Sequence, residues 1–349
     1  MLNLFKRKTR LLNKESYIFR GKPFPVYDHF VTSSGERVPL LSGFRDWLKP
    51  DWRDMLKKND LTHSAMSKEA MSKKIGSNKK RVAVLDKFLR VHDISLTGKS
   101  VLEVGCFTGA TTFCLSHFKP ARIVGSDLSK YYINQSVGKK ITDETLKKQF
   151  SKLTLERDAF REFISSQGDM DLCRDISFVE DDITGSKFDP GTFDFICGFE
   201  VMEHTASPYD SLSEMSRILK QGGVIFQEYN PFFCLEGGHS LCTLDFPWGH
   251  ARLSKDDFIR YTDSYRKNEA EVDQAFYLNN LNRMTLTDLL EACGDLELKV
   301  TELIKWSDNG LLTDILDHPE ILKQCRENNQ KVSINDLISD KIWVLLQKA

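Results

Sequence analysis

The chain has no pair of cysteines spaced C-x-x-C, so it does not encode a zinc ribbon. Its eight cysteines are Cys106, Cys114, Cys173, Cys197, Cys234, Cys242, Cys293 and Cys325. Several of them sit in apolar runs, where a reduced cysteine acts as a small hydrophobe. That usage predicts a reducing compartment. No apolar run approaches the roughly 18 residues that a membrane span needs. Met1–Phe5 is too short for the apolar segment of a secretory signal. Both absences predict a cytoplasmic protein without membrane contact. There is also no charge excess: 49 Lys and Arg face 50 Asp and Glu across 349 residues. No field of the whole chain therefore draws it to a polyanion. Basic stretches do occur at Met1–Arg10 and Lys68–Arg90, and both read as solvated helix faces. No RNA-binding motif accompanies them, which argues against nucleic acid as a partner. A homo-oligomer is compatible with the sequence. Repeats and low-complexity tracts are absent.

What is present is an alternation of short apolar runs and amphipathic segments. Met1 to about Lys80 is irregular and carries Pro23, Pro25 and Pro50. It is expected to form an N-terminal extension or cap with some helix. Val82–Val91 has helical spacing, with Val84, Leu85, Phe88 and Val91 on one face. From Ser100 the order becomes regular. Strands are predicted at Val101–Val104, Ala121–Gly125, Ile176–Val179, Phe193–Cys197 and Val224–Glu228. Helices are predicted at Thr111–Phe118, from Ser129, over about Lys139–Met170, and at Ser207–Leu219, the last closed by Gln221-Gly222-Gly223. Further on, Thr287–Ala292 reads as a helix, and Leu296–Leu303 and Ile342–Leu346 as strands. Strands alternating with helices imply βαβ units in a doubly wound, mostly parallel α/β sheet, here of seven strands. Ligands of such sheets bind at the C-terminal ends of the strands. Residues 81–349 are expected to form the main domain, with a core at 100–229. An inserted loop follows at 230–253, and C-terminal strands with an insertion at 283–349.

The polar motifs fall at those strand ends. Val101–Val104 runs into Gly105-Cys106-Phe107-Thr108-Gly109 and then a helix. Glycines at both ends of the turn let backbone approach a ligand that a Cβ would obstruct. Asp127 ends the second strand, about 20 residues on, where a carboxylate can accept from ribose hydroxyls. Asp182 and Ile183 follow the third strand, with Glu180 and Asp181 beside them. There an acid can take an adenine amino group while Ile183 packs on the ring. A dinucleotide is disfavoured. Its pyrophosphate needs G-x-G-x-x-G, the middle glycine position here is Phe107, and Glu103 would repel phosphate. The same Glu103 would attract a cationic methionyl sulfonium.

These stretches resemble the motif set of class I S-adenosylmethionine-dependent methyltransferases. They lie close to the small-molecule branch that includes ubiquinone-biosynthesis O-methyltransferases. Val101–Gly109 resembles the E/D-x-G-x-G-x-G motif, with Phe107 at the middle glycine. Phe193–Ile196 through Glu200-Val201-Met202-Glu203-His204 resembles the fourth-strand motif and its E-V-x-E-H continuation. Leu219-Lys220-Gln221-Gly222-Gly223 resembles L-K-P-G-G, with Gln for Pro. The resemblance covers about Ser100–Tyr229. It implies a Rossmann-like fold with S-adenosyl-L-methionine as cofactor. Glu103, Gly105, Cys106 and Gly109 would border its methionyl part, Asp127 and Leu128 its ribose, and Asp182 and Ile183 its adenine. Phe199 would flank the sulfonium.

Methyl transfer needs alignment of acceptor and methyl, and a hydroxyl acceptor also needs a base. The candidate bases are His204, His239 and His250, since imidazole titrates near neutrality. His204 follows the fourth strand. His239 and His250 lie in Gly237-Gly238-His239-Ser240 and Trp248-Gly249-His250-Ala251-Arg252, in the long loop after the fifth strand. Phe232, Phe233, Phe246 and Trp248 of that loop either wall an apolar pocket or pack the loop down. Related quinone methyltransferases imply a divalent ion at the positions of Glu200, Glu203 and His204, yet the expectation here is no metal. Asn230-Pro231-Phe232-Phe233 lacks the second proline of the amino-nitrogen methyltransferase motif and follows the wrong strand. The leading expectation is methylation of a small molecule, at a hydroxyl of a sugar or secondary metabolite. The alternatives are an RNA or protein methyltransferase, or a cofactor-binding regulatory subunit without turnover.

Overall fold

The computed structural model describes residues 15–54, 66–128, 143–168, 171–172 and 174–348. The helix expected from Ser129, the basic stretch Met1–Arg10 and Cys173 lie outside the described residues. The chain divides into two compact units. One is drawn from Met1–Lys58, Phe232–Leu278 and Ser307–Asp340. The other is drawn from Asn59–Pro231, Asn279–Trp306 and Lys341–Ala349. No described helix is long and apolar enough to cross a membrane. The seven described cysteines are all buried and unbridged.

The first unit contains a three-stranded antiparallel sheet of β1 (Ser16–Phe19), β2 (Lys22–Val31) and β3 (Arg37–Leu41). This corrects the expected irregular lead-in. Pro23 and Pro25 fall inside β2, and their placement explains how the strand tolerates them. Pro23 and Pro25 lie in the half of β2 that pairs with β1, whereas β3 pairs from Val26 onward. Each proline thus sits where one side of the strand has no ladder to break. The aromatics of the long loop form this unit's core rather than a pocket wall. Phe232, Phe233, Phe246 and Trp248 are 1–3% exposed. Trp248 packs edge-on against Phe19 with ring centroids 5.8 Å apart. Its indole N–H donates to the Leu337 carbonyl at 3.1 Å.

The second unit is built on a seven-stranded sheet. Its strands are β4 (Ser100–Val104), β5 (Arg122–Asp127), β6 (Ile176–Glu180), β7 (Phe193–Phe199), β8 (Leu219–Tyr229), β9 (Leu298–Ser307) and β10 (Ser339–Lys348), in the order β6-β5-β4-β7-β8-β10-β9. The first five in that order run parallel, and β10 runs antiparallel to β8. This is the expected doubly wound α/β sheet. Its strands read as continuous apolar runs because both faces are covered. Val101, Ile123, Phe195 and Phe226 point to a core shared with the helix Lys68–Val91. Leu102, Val124, Ile196 and Ile225 point to the opposite core, with Leu212 and Met215 of the helix Pro208–Ile218.

Two local expectations change. The helix Lys68–Val91 runs through residue 80, where a boundary was expected. Met71, Ile75, Val82, Leu85 and Leu89 form its buried stripe, and its basic residues occupy the remaining faces. The helix Pro208–Ile218, capped by Ser207, ends without using Gly222 and Gly223 as its stop. Strand β8 begins at once, and the glycines lie where its register against β7 shifts between Phe193 and Phe195. Gly222 has φ +72° there, so the pair makes a bulge that lets the strand restart in register.

Because Trp248 is a core residue, Trp248→Ala should destabilise the protein by about 3–5 kcal/mol. Urea unfolding followed by tryptophan fluorescence and circular dichroism measures this. A change below about 1 kcal/mol would mean the ring is not held in a packed core.

Candidate functional site

The sheet order reverses between β4 and β7, which leaves a crevice at their C-terminal ends. Two cavities of the second unit open there. One, of about 290 Å³, is lined by Asp127, Leu128, Asp182, Ile183, His204 and Asn280, among others. The other, of about 530 Å³, is lined by residues that include Lys74, Arg81, Glu103, Cys106, Phe107 and Phe199. Gly105 and Glu200 line both. The two spaces therefore meet at the glycine turn after β4 and the turn after β7.

The glycine turn is shaped by conformation and by space. Gly105, Phe107 and Gly109 all have positive φ, at +71°, +46° and +75°. A Cβ on Gly105 would come within 2.2 Å of a Val201 methyl, and one on Gly109 within 2.4 Å of the Phe178 ring. Both glycines are thus required by the turn. Gly109 serves as the αL N-cap of the helix Ala110–Cys114 and lines neither cavity. Phe107 replaces a glycine at a left-handed position, and its backbone is held from two sides. Its N–H donates to one Asp127 carboxylate oxygen, and its carbonyl accepts from Arg157 Nε at 2.9 Å. The other Asp127 oxygen accepts from the Leu128 N–H at 2.7 Å. Asp127 is 7% exposed, so it is anchored yet still reaches the smaller cavity.

The acids divide by environment. Glu103 is 2% exposed and accepts from the Thr112 hydroxyl. Burial, with Asp127 adding a like charge, pushes its carboxyl up to about 8. Asp182 is exposed and accepts from the Thr184 N–H at 3.0 Å and its hydroxyl at 2.7 Å. Glu203 is buried and accepts from the Asn230 N–H at 3.2 Å, and burial pushes it up to about 8. Glu200 pairs with Arg81 at 2.8 Å and Lys341 at 3.7 Å. Of the three residues at the positions of a divalent-ion site in the resembling enzymes, one is therefore engaged by two cations. Cys106 is buried in the turn, and burial raises its thiol.

His204 follows β7 and lines the smaller cavity. Its Nδ1 lies 2.6 Å from the Asn280 carbonyl oxygen. A carbonyl can only accept, so Nδ1 carries the proton and the neutral ring keeps its lone pair on Nε2. Burial lowers its pKa. His239 and His250 belong to the first unit, and neither is among the lining residues of the two cavities. His250 is 1% exposed and donates from Nε2 to the Phe232 carbonyl at 2.7 Å. A Cβ on Gly238 would strike its ring at 2.8 Å. His239 packs edge-on against Phe276 with centroids 5.7 Å apart.

Lys74, Arg81 and Asn280 were not singled out from the sequence. For the first two a signal existed. Lys73, Lys74, Ser77, Asn78 and Arg81 recur at helical spacing, and all line the larger cavity. Asn280 follows a helix in a segment with no motif, so nothing marked it.

Residues 102–227 match a protein family described as a methyltransferase domain. A mitochondrial ubiquinone biosynthesis O-methyltransferase of Dictyostelium discoideum is 26% identical over 135 residues, 38% of this chain. The chain spans 36% of that relative's length. Among solved structures, an S-adenosylmethionine-dependent methyltransferase from Mesorhizobium loti is 12% identical, with a TM-score of 0.42. The match covers 75% of this chain and 96% of that one. The geranyl diphosphate C-methyltransferase of Streptomyces coelicolor is 15% identical, with a TM-score of 0.40 and 83% of each chain covered. The strand order, the glycine turn and the acids at the strand ends lie within or beside residues 102–227, which carry a methyltransferase domain.

Proposed function

We propose that the chain transfers a methyl group from S-adenosylmethionine to a hydroxyl of a small-molecule acceptor, with His204 as the base. One observation carries this reading. Three carboxyl groups from successive parallel strands, Glu103, Asp127 and Asp182, line two cavities that join at Gly105. The donor set suits the cofactor. Asp127 offers its remaining acceptor capacity to ribose hydroxyls, while Leu128 and Ile183 give an apolar bed for adenine beside Asp182. Glu103, on the larger cavity, offers an acid to the methionyl ammonium. Bound there, the cofactor supplies an electrophilic methyl group on a sulfonium sulfur.

The protein's own task is then to place a nucleophile and remove its proton. Alignment alone can supply about 7–11 kcal/mol. His204 has the tautomer for proton removal, since Asn280 fixes Nδ1–H and leaves Nε2 basic. Its lowered pKa keeps the ring uncharged at neutral pH, which is the form a general base requires. The hydroxyl acceptor is supported by that histidine and by the likeness to a ubiquinone biosynthesis O-methyltransferase. His250 holds the fold of its own unit in this reading, and the same applies to His239.

Three outcomes follow. Asp127→Ala should weaken S-adenosylhomocysteine binding by at least tenfold, since charge-assisted hydrogen bonds contribute about 1.5–3 kcal/mol each. Calorimetry measures it, and unchanged affinity would remove Asp127 from the cofactor site. Second, Glu103 at about 8 is protonated at neutral pH, and a cationic ligand favours its ionised form. Cofactor affinity should therefore rise with pH, by up to about tenfold per unit below pH 8, and level off above it. Glu103→Gln should flatten this slope, and a variant that keeps it would assign the proton elsewhere. Third, His204→Gln should lower kcat by about 10²–10⁴-fold with cofactor affinity little changed. Equal loss of both would give His204 a positioning role only.

A further inference from the structure

One cluster of the first unit sets three acids against two guanidinium groups. Arg45, in the helix Phe44–Leu48, and Arg266, just past the helix Lys255–Tyr265, are both buried. Each already has its own acid. Arg45 donates to Glu269 at 2.7 Å and to the Ser240 and Leu241 carbonyls at 3.0 and 3.3 Å. Arg266 pairs with Asp245 at 3.3 Å and donates to the Thr243 carbonyl at 2.7 Å. Asp273, in the helix Ala270–Asn279, is the third acid and is 0% exposed. Its Oδ2 lies 4.0 Å from Arg45 and 3.9 Å from Arg266, too far for a hydrogen bond. Both of its carboxyl oxygens are buried without a hydrogen-bond partner among the described residues.

An ionised carboxylate sealed from water needs donors, and these two oxygens have none. Glu269 stands four residues earlier on the same helical turn, where like charges repel. With Arg45 matched to Glu269 and Arg266 to Asp245, a charged Asp273 would be surplus. The remaining neighbours do not offset it. The Cys242 thiol donates to the Asp273 backbone carbonyl at 3.6 Å, not to the carboxyl. The Tyr27 and Tyr261 hydroxyls both donate to Asp245. His239, in the helix His239–Cys242, sets its ring edge-on to Phe276. Asp46, beside Arg45, accepts from Trp52 and Arg53. Among the described residues, no cation other than Arg45 and Arg266 comes within 4.0 Å of the Asp273 carboxyl. Burial, with Glu269 adding a like charge and the two arginines opposing, pushes that carboxyl up to about 8.

We propose that Asp273 carries a proton in the folded protein at neutral pH and is a pH-sensitive latch of the first unit, holding the arginine cluster closed while protonated and loosening it on ionisation. In the unfolded chain an aspartate titrates at about 3.9. Between about pH 4 and pH 8 the folded chain therefore keeps one proton that the unfolded chain has released. The stability of the first unit falls as pH rises through that window and levels off above it.

The test uses the full chain with carbon-13 in its aspartate carboxyls, titrated by NMR. One aspartate resonance should titrate near pH 8 and be missing from Asp273→Asn. Native-state hydrogen exchange of peptides within residues 239–278, corrected for its intrinsic pH dependence, reads the latch itself. Protection in the wild type should fall by up to about tenfold per pH unit below pH 8, and Asp273→Asn should remove that one-proton slope. Asp273→Ala gives the same comparison if the asparagine variant does not fold. A wild type in which no aspartate titrates above about pH 7 overturns the proposal, whatever the variants do. So does a titrating resonance that persists in Asp273→Asn, or a protection slope that the substitution leaves unchanged.

Discussion

Asp127 grips the backbone N–H groups of Phe107 and Leu128 with its two oxygens, and the shape of the crevice follows from that grip. The turn after β4 must hold three left-handed residues in five, one of them a phenylalanine. Such a conformation costs about 1–3 kcal/mol at a residue that carries a side chain. A charge-assisted bond to the strained residue's own N–H is of the size needed to offset it. The Arg157 guanidinium, closing on the Phe107 carbonyl, completes the clamp. The Cys106 N–H donates to the Ser126 carbonyl at 3.0 Å, so the turn is stitched to β5 at two consecutive residues. The same carboxylate lines the smaller cavity, so one side chain both holds the turn and borders the space beside it.

The second feature of the site is a set of ionisable groups that burial displaces toward their uncharged forms. Glu103 and Glu203 are buried acids pushed up to about 8, and Lys74 is a desolvated base pushed down. The Arg81–Glu200–Lys341–Glu228 network shows the contrasting case. There cations and anions satisfy one another, and the Trp343 indole N–H also donates to Glu228 at 2.7 Å. That network fixes the turn after β7, where Glu200 has φ +59°.

The sheet was legible because its strands are buried on both faces and each ends in a polar marker. Val101–Val104 before Gly105, and Ile123–Val124 before Asp127, state strand and end within a few residues. Of the nine residues expected around the cofactor, Gly109 alone lines neither cavity, and it shapes the turn as the helix cap. The small antiparallel sheet was not legible. The burial of β2 barely alternates, and its prolines mimic a loop until the pairing partner on each side is known. The lysine wall was hidden for a different reason. A basic helix face looks the same in sequence whether it meets water or a cavity. Only the packing of Met71, Ile75 and Val82 into the sheet core decides which residues turn inward.

The histidines of the long loop show how the same local signal serves opposite ends. Glycines beside His239 and His250 suggested backbone drawn close to a ligand. Gly238 is drawn close, but to the imidazole of His250 itself, whose Cγ lies 2.8 Å from where a Cβ would stand. The ring sits edge-on to Phe232 with centroids 5.1 Å apart and spends its Nε2 proton on that residue's carbonyl. The Tyr277 hydroxyl in turn donates to the His250 carbonyl at 3.1 Å. Buried among aromatics, the imidazole gives a backbone acceptor of an apolar core its donor. His204 also donates to a carbonyl, yet it lines a cavity. A histidine becomes a base when a ligand can reach the nitrogen that its structural hydrogen bond leaves unprotonated. That depends on which core its neighbours build, a property no tripeptide carries.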